Sequence, residues 1–179
     1  AEADSGAIGG KEYHEFIFPT DAGEDTVITC INCKYTANVE EAIGLIPSAK
    51  EAEEEAALEI HTPGVTSIQE ACEYMDLSPE QTLKSLCYKV DDEFIMVCIR
   101  GDLHVKLKHT LNAKELRIAS NTEIADLGLI LGSLSPVGIN NIRIIGDESI
   151  TRQSNLTAGG NKPDTHIKNV NHQRDFYTS

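Results

Sequence analysis

Leu86-Cys87-Tyr88-Lys89-Val90, Asp91-Asp92-Glu93 and Phe94-Ile95-Met96-Val97-Cys98-Ile99 form the stretch whose reading decides the fold. Two apolar, β-prone runs flank an acidic triplet, which predicts two strands joined by a turn. Upstream, Ser78-Pro79-Glu80-Gln81 reads as a helix start, with a serine cap, proline at the first position and glutamine placed to close a capping box. Before it, Ile68, Ala71, Cys72 and Met75 recur at helical spacing. Downstream, the pattern predicts a helix through Val105, Leu107 and Leu111, a strand over 116–119 and a short helix capped by Asn121-Thr122-Glu123. A loop over 131–138, a strand over 142–145, an irregular Ser/Asn/Gly-rich stretch to Asn161 and a strand over 166–170 follow. Strands and helices mix without strict alternation. The expected fold is therefore α+β (mixed α/β), with one predominantly antiparallel sheet and packed short helices.

Toward the N-terminus the texture differs. Residues 6–10 make a glycine-rich turn, and 14–18 and 26–29 are β-prone runs with 21–25 as the expected hairpin between them. No Gly-Lys-Ser/Thr follows the glycines, so they are a weak signal for a phosphate loop. An alanine- and glutamate-rich stretch from about 43 to 58, interrupted by Pro47, reads as a solvated helix or linker and as the candidate boundary. The organisation expected is 1–42, a helical acidic linker 43–60, a compact domain 61–170, and a return segment 171–179.

Composition narrows the class. An apolar fraction of 40% supports a buried core. No long apolar run suggests a membrane span and no basic-then-apolar opening suggests a signal peptide. The start at Ala1 without methionine points to a piece of a longer chain. Residues 1–80 hold 18 acidic and 3 basic side chains, whereas 81–179 hold 11 and 12. The neutral second half, with Lys84, Lys89, Arg100, Lys106, Lys108, Lys114 and Arg117 close together, could hold the end of a tRNA though not a long duplex, while composition alone favours an ordinary solvated mixed-charge surface. Cys30 and Cys33 form one Cys-x-x-Cys with no second ligand pair at zinc spacing, so neither a metal nor a redox role is expected. Reduced cysteines suggest the cytoplasm.

Two separate pieces resemble one family. Glu2-Ala3-Asp4-Ser5-Gly6-Ala7-Ile8-Gly9-Gly10, His14-Glu15-Phe16, Gly23-Glu24-Asp25-Thr26 and Tyr35-Thr36-Ala37-Asn38-Val39-Glu40 resemble the part of bacterial-type prolyl-tRNA synthetases that precedes their large insertion. His61-Thr62-Pro63-Gly64, Thr82-Leu83-Lys84-Ser85-Leu86, Arg100-Gly101-Asp102, Gly132-Ser133-Leu134-Ser135-Pro136-Val137 and the stretch from Ser154-Asn155 to Asn161 resemble the insertion. Asn169-Val170-Asn171 to Arg174-Asp175-Phe176 resembles the return to the synthetase core. The segment after Asp102 is shorter than usual, Ser135 stands where glycine is common, and His172 stands where an aromatic is common.

The resemblance implies cis-editing: hydrolysis of the ester in alanine-charged proline tRNA, without metal or cofactor, largely by backbone groups and the tRNA's own hydroxyl. It implies ATP and magnesium for the parent ligase, the rest of that chain as partner, and a homodimeric parent. Lys84 matches the family's important lysine and would hold a terminal phosphate or the aminoacyl-adenosine; a cation at a helix C-terminus is the plainer alternative. Gly132 and Pro136 would shape a catalytic loop, and Ser133 and Leu134 would contact substrate, unless the segment is a surface turn. His166 matches the histidine lining the amino-acid pocket, or is a half-buried strand histidine. No Gly-x-Ser-x-Gly or other local nucleophile–base order occurs. The other functions weighed are a tRNA acceptor-end binding module without hydrolysis, and a free-standing trans-editing deacylase.

Overall fold

The structure is a computed structural model that describes residues 2–3, 13–14, 20, 26–39, 42, 44, 52–105, 107, 111 and 113–179. The glycine-rich turn at 6–10, the connection 21–25, the 43–51 part of the acidic stretch apart from Gly44, and Lys106 and Lys108 lie outside them. The chain divides into two compact units, 1–46 and 47–179.

In the first unit four short strands, β1 (Glu2–Ala3), β2 (Tyr13–His14), β3 (Val27–Thr29) and β4 (Thr36–Asn38), form a sheet in the order β2-β1-β4-β3. β3 pairs with β4, and most of the 14–18 run expected opposite it lies outside the described residues. The turn between them is closed by Cys30 N–H to the Tyr35 carbonyl at 2.8 Å and Lys34 N–H to the Cys30 carbonyl at 3.0 Å. Lys34 adopts φ 63° there.

In the second unit β5 (Leu58–His61) leads to α1 (Ile68–Met75), a 3-10 turn at Pro79–Gln81, and the long hairpin of β6 (Leu83–Val90) and β7 (Glu93–Arg100). Then come β8 (Leu116–Ile118), α2 (Asn121–Asp126), β9 (Arg143–Gly146), α3 (Glu148–Thr151), β10 (Leu156–Gly159) and β11 (Thr165–Val170). The single sheet expected is instead two here: a three-stranded sheet β10-β11-β5 and a four-stranded sheet β8-β6-β7-β9, in which β7 and β9 run parallel. A lone parallel bridge, Thr82 with Thr157, brings them together. The core between them gathers Leu83, Cys87, Met96 and Cys98 from the hairpin with Ile124, Ile144, Ile150, Leu156, Ala158, Val170 and Phe176.

The hairpin obeys its sequence. Leu83, Ser85 and Cys87 alternate inward, and Asp91 at φ 50° makes the turn. Of the helix expected through 105–111, the described residues Val105, Leu107 and Leu111 are not assigned to a helix. Their helical spacing has another use, because all three pack on the outer face of the hairpin with Ile95 and Val97. β10 arises where an irregular stretch was expected. All four of its residues are buried, so no polar alternation marks it.

Residues 52–57 are not helical, and the chain beyond them enters β5, antiparallel to β11 with His61 opposite Thr165. This stretch is stapled to the other end of the unit. Asn155 donates to the Glu53 carbonyl (2.8 Å) and accepts from Glu55 N–H (2.9 Å). Asn169 donates to the Ala56 carbonyl (3.1 Å), and Arg174 donates to the Glu55 carbonyl (2.7 Å). Phe176 is buried in the core. Consequently a chain beginning at 52 is expected to melt cooperatively, and one beginning at 62, lacking β5, to melt at least ~5 °C lower. Equal melting temperatures would show that β5 and its staples add nothing to the folded unit.

Candidate functional site

Three elements end around one cleft of about 300 Å³. The first is α1. Ser67 caps it, its Oγ accepting from Glu70 N–H at 3.2 Å, while Glu70 Oε2 accepts from Ser67 N–H at 3.0 Å and Thr66 N–H at 2.9 Å. Those hydrogen bonds, the Thr66 amide first, hold the Glu70 carboxyl below its usual pKa. Thr66, Ser67, Ile68 and Ala71 of this helix start form one wall. Their spacing in the sequence marks Ile68 and Ala71 only as part of the helix's apolar stripe.

The second is the start of β6. β7 covers one side of that strand throughout, but β8 covers the other only from Tyr88 to Val90. Between that pairing and the Thr82–Thr157 bridge, residues 83–86 form a sheet edge without a strand partner among the described residues. All four line the cleft. Lys84 is therefore a strand residue, opposite Ile99, and caps no helix. Its ammonium donates to the Leu103 carbonyl at 2.6 Å. Burial pushes its pKa down, and the nearby Asp102 carboxylate opposes this.

The third is the loop 131–136 lying on β10. Gly132 (φ 83°) and Leu134 line the cleft beside Leu131. The structure does not bring Ser133 or Pro136 to the wall. Ser133 is buried, its Oγ donating to the Thr165 carbonyl (3.0 Å) and accepting from Gly160 N–H (3.1 Å), so it fastens the loop from behind. Pro136 is fully buried. Asn161 completes the fastening: its side chain accepts from Ser135 N–H (2.9 Å) and donates to the Ser135 and Val137 carbonyls (3.0 and 2.9 Å). The Ser133 amide donates to the Ile130 carbonyl. Among the described residues none accepts from the amides of Gly132 or Leu134.

His166 closes the far end, between Ile60 of β5 and Gly159 of β10. Its Nδ1 shares a 2.6 Å hydrogen bond with Thr62 Oγ1, and burial pushes its pKa below 6.5. The ring is thus neutral near pH 7. A neutral buried histidine contributes stability in full above pH 6.5, and loses it as pH falls toward its lowered folded value. Thr62 is fully buried and does not line the cleft, so this pair is structural and no nucleophile–base couple.

Among the described residues the lining therefore holds one cation and neither a carboxylate nor a thiol. Several of its hydroxyls are already engaged: Ser67 in its cap, Thr82 with the Pro79 carbonyl (2.9 Å), and Ser85 with Cys98 Sγ (3.6 Å). Among the described residues no three His, Cys, Asp or Glu side chains converge as metal ligands, and no helix is long and apolar enough to cross a membrane. Such a cleft can hold an anion or ester with an ammonium and two backbone amides, and can limit the size of what lies against His166.

A family profile describing an aminoacyl-tRNA editing domain matches residues 62–176. Proline–tRNA ligases from Dehalococcoides mccartyi and Thermotoga maritima are 43% and 41% identical over 98% of this chain, which spans 31% of their length. One from Syntrophus aciditrophicus is 38% identical over 99% of the chain and 32% of its own length. Among solved structures, a protein described as a candidate trans-editing enzyme for prolyl tRNA synthetase shares the fold, with TM-score 0.55 and 20% identity over 63% of this chain and 74% of that one.

Proposed function

Because the chain belongs to the aminoacyl-tRNA editing domain family, in the form carried by bacterial proline–tRNA ligases, we propose that it hydrolyses the ester of alanine wrongly attached to proline tRNA. One observation carries the reading. The cleft joins a single ammonium, Lys84, to a loop with two amides to offer and a neutral histidine, without any side chain placed as nucleophile or base.

Catalysis in such a site works by placement. Lys84 holds the charged end of the tRNA, and the Gly132 and Leu134 amides meet the oxyanion that forms when water attacks the ester carbonyl. The ester C–O bond then breaks, the ribose oxygen leaves with a proton, and alanine and free tRNA are released. The substrate's own ribose hydroxyl orients the water, a role no side chain of the lining fills. His166 bounds the amino-acid pocket, admitting a methyl group and rejecting the proline ring.

In the parent ligase, residues 1–42 belong to the synthetic core, 43–60 lead from it into the editing domain at 61–170 and supply its edge strand β5, 171–179 pack on that domain as the chain returns to the core, and ATP and magnesium serve the synthetic reaction. That parent acts in the cytoplasm as a homodimer. The deciding measurement is single-turnover deacylation of alanine- and proline-charged proline tRNA. Rapid loss of alanine alone is the expected result; binding of both without hydrolysis would make the chain an acceptor-end binding module. His166→Ala should raise hydrolysis of the proline ester by about tenfold or more, because size discrimination of this kind is worth roughly that much. Unchanged rejection of proline would place the sieve elsewhere.

A further inference from the structure

Asp102 does not line the cleft, yet it stands beside the carbonyl that holds the cleft's cation. Arg100, the last residue of β7, is buried and closes on Asp102 with both nitrogens of its fork, Nε to Oδ1 at 2.6 Å and Nη2 to Oδ2 at 2.9 Å. The turn they enclose is pinned at further points. Arg100 N–H donates to Ser149 Oγ (3.2 Å), Gly101 N–H to the Thr82 carbonyl (2.9 Å), and Leu103 N–H to the Arg100 carbonyl (3.0 Å). Gly101 has no room for a side chain, because a Cβ there would run into the Thr82 side chain and the Pro79 carbonyl. The outcome of this bracing is a fixed Leu103 carbonyl, and it accepts the Lys84 ammonium at 2.6 Å.

A lysine side chain has four rotatable bonds and a freely turning ammonium with three N–H donors. Anchoring one donor on a rigid carbonyl sets the direction of the other two. We propose that Asp102, acting through Arg100 and the turn 100–103, is the positioning residue that aims the Lys84 ammonium into the cleft. The inference rests on Lys84 being the cation that holds the substrate. Asp102 has a second effect on the same group: its charge counters the burial that disfavours the ammonium. Arg100 in turn feels Glu80 and Asp147 besides Asp102, so the carboxylates around the guanidinium keep it in place as a fixed strut.

The test is a double-variant cycle on this chain, with single-turnover deacylation of alanine-charged proline tRNA and the 15N signal of the Lys84 ammonium as readouts. Asp102→Asn should slow deacylation by about tenfold, a coupling of ordinary size for residues in one network. It should also shift or broaden the Lys84 signal, which Lys84→Ala identifies. Asp102→Glu keeps the charge and should recover part of the rate. Lys84→Ala with Asp102→Asn should be no slower than Lys84→Ala alone, which a merely structural loss would not produce. An unchanged rate and an unchanged Lys84 signal in Asp102→Asn would overturn the inference while leaving Lys84 in its role. Additive losses in the double variant would overturn it too. A fully active, well-folded Lys84→Ala would instead remove the reading of the site on which the inference stands. Should Asp102→Asn melt early, Asp102→Glu carries the same test through its Lys84 signal: a signal like that of wild type and an undiminished rate despite the lengthened arm would refute the positioning role.

Discussion

Replacing Lys84 by alanine should slow single-turnover deacylation of alanine-charged proline tRNA by about ten- to hundredfold, since one lost charge-assisted contact of ~1.5–3 kcal/mol felt in the transition state has that effect. The fold should hardly notice. Lys84 is only partly buried, and its one hydrogen bond is to a carbonyl on a turn braced independently by Arg100 and Asp102. A melting temperature within a few degrees of wild type is therefore expected beside the lost activity. Lys84→Arg should fall between the two, because the planar guanidinium keeps the charge but not the compact shape. Full activity in a folded Lys84→Ala would leave the loop amides and His166 as the whole site.

Gly159→Ala should do damage of a different kind. A Cβ on this residue would lie 2.5 Å from the carbonyl carbon and oxygen of Ser133 and 2.6 Å from the Leu134 oxygen. These are backbone atoms of the loop that carries the two free amides, so the added methyl cannot be accommodated by turning a side chain. Overpacking of this sort is worth about 1–3 kcal/mol, and here it pushes the 131–136 loop off β10. Both a lower melting temperature and at least a tenfold loss of deacylation are expected, the latter because an oxyanion donor displaced by about an ångström loses most of its value. Gly138→Ala is the control. It also alters a glycine with positive φ, at 76°, but its Cβ would meet open space. It should reduce stability modestly and leave deacylation near wild type. If Gly159→Ala were as active as Gly138→Ala, close seating of the loop on β10 would not matter to the reaction.

The two substitutions also mark where sequence reading stops. Lys84 was legible as a candidate, but its surroundings were not. A serine–proline–glutamate–glutamine run signals a helix start, and from there a lysine three residues on looks like a helix-end cation. In the structure that run makes a single 3-10 turn, and Thr82 already has extended backbone, so Lys84 falls on a strand. The glycine–proline loop was legible as a place where backbone approaches something. Which of its residues face the cleft was not, because that depends on Ser133 and Asn161 being tied to β11 and to the loop's own carbonyls. Gly159 gave no signal at all: in a glycine-rich stretch one more glycine reads as a turn, and only the packed loop shows why it has no side chain.

By itself the sequence determined the long hairpin with its turn, a helix through Ile68, Ala71, Cys72 and Met75, a short helix from about Asn121, and strands close to 142–145 and 166–170, because each is written in spacing and turn residues within a few positions. Through motif order it also carried the family. The tertiary structure alone decided how these pieces divide into sheets and which edges stay open. Residues 58–61, part of a charge-rich stretch, become a strand because β11 offers them an edge, and 156–159 become one because both faces are covered. The half of β6 left without a strand partner among the described residues became the floor of the cleft. Local preference fixes what a segment can be, whereas pairing and burial depend on residues a hundred positions away, and those contacts appear only once the chain has closed on itself.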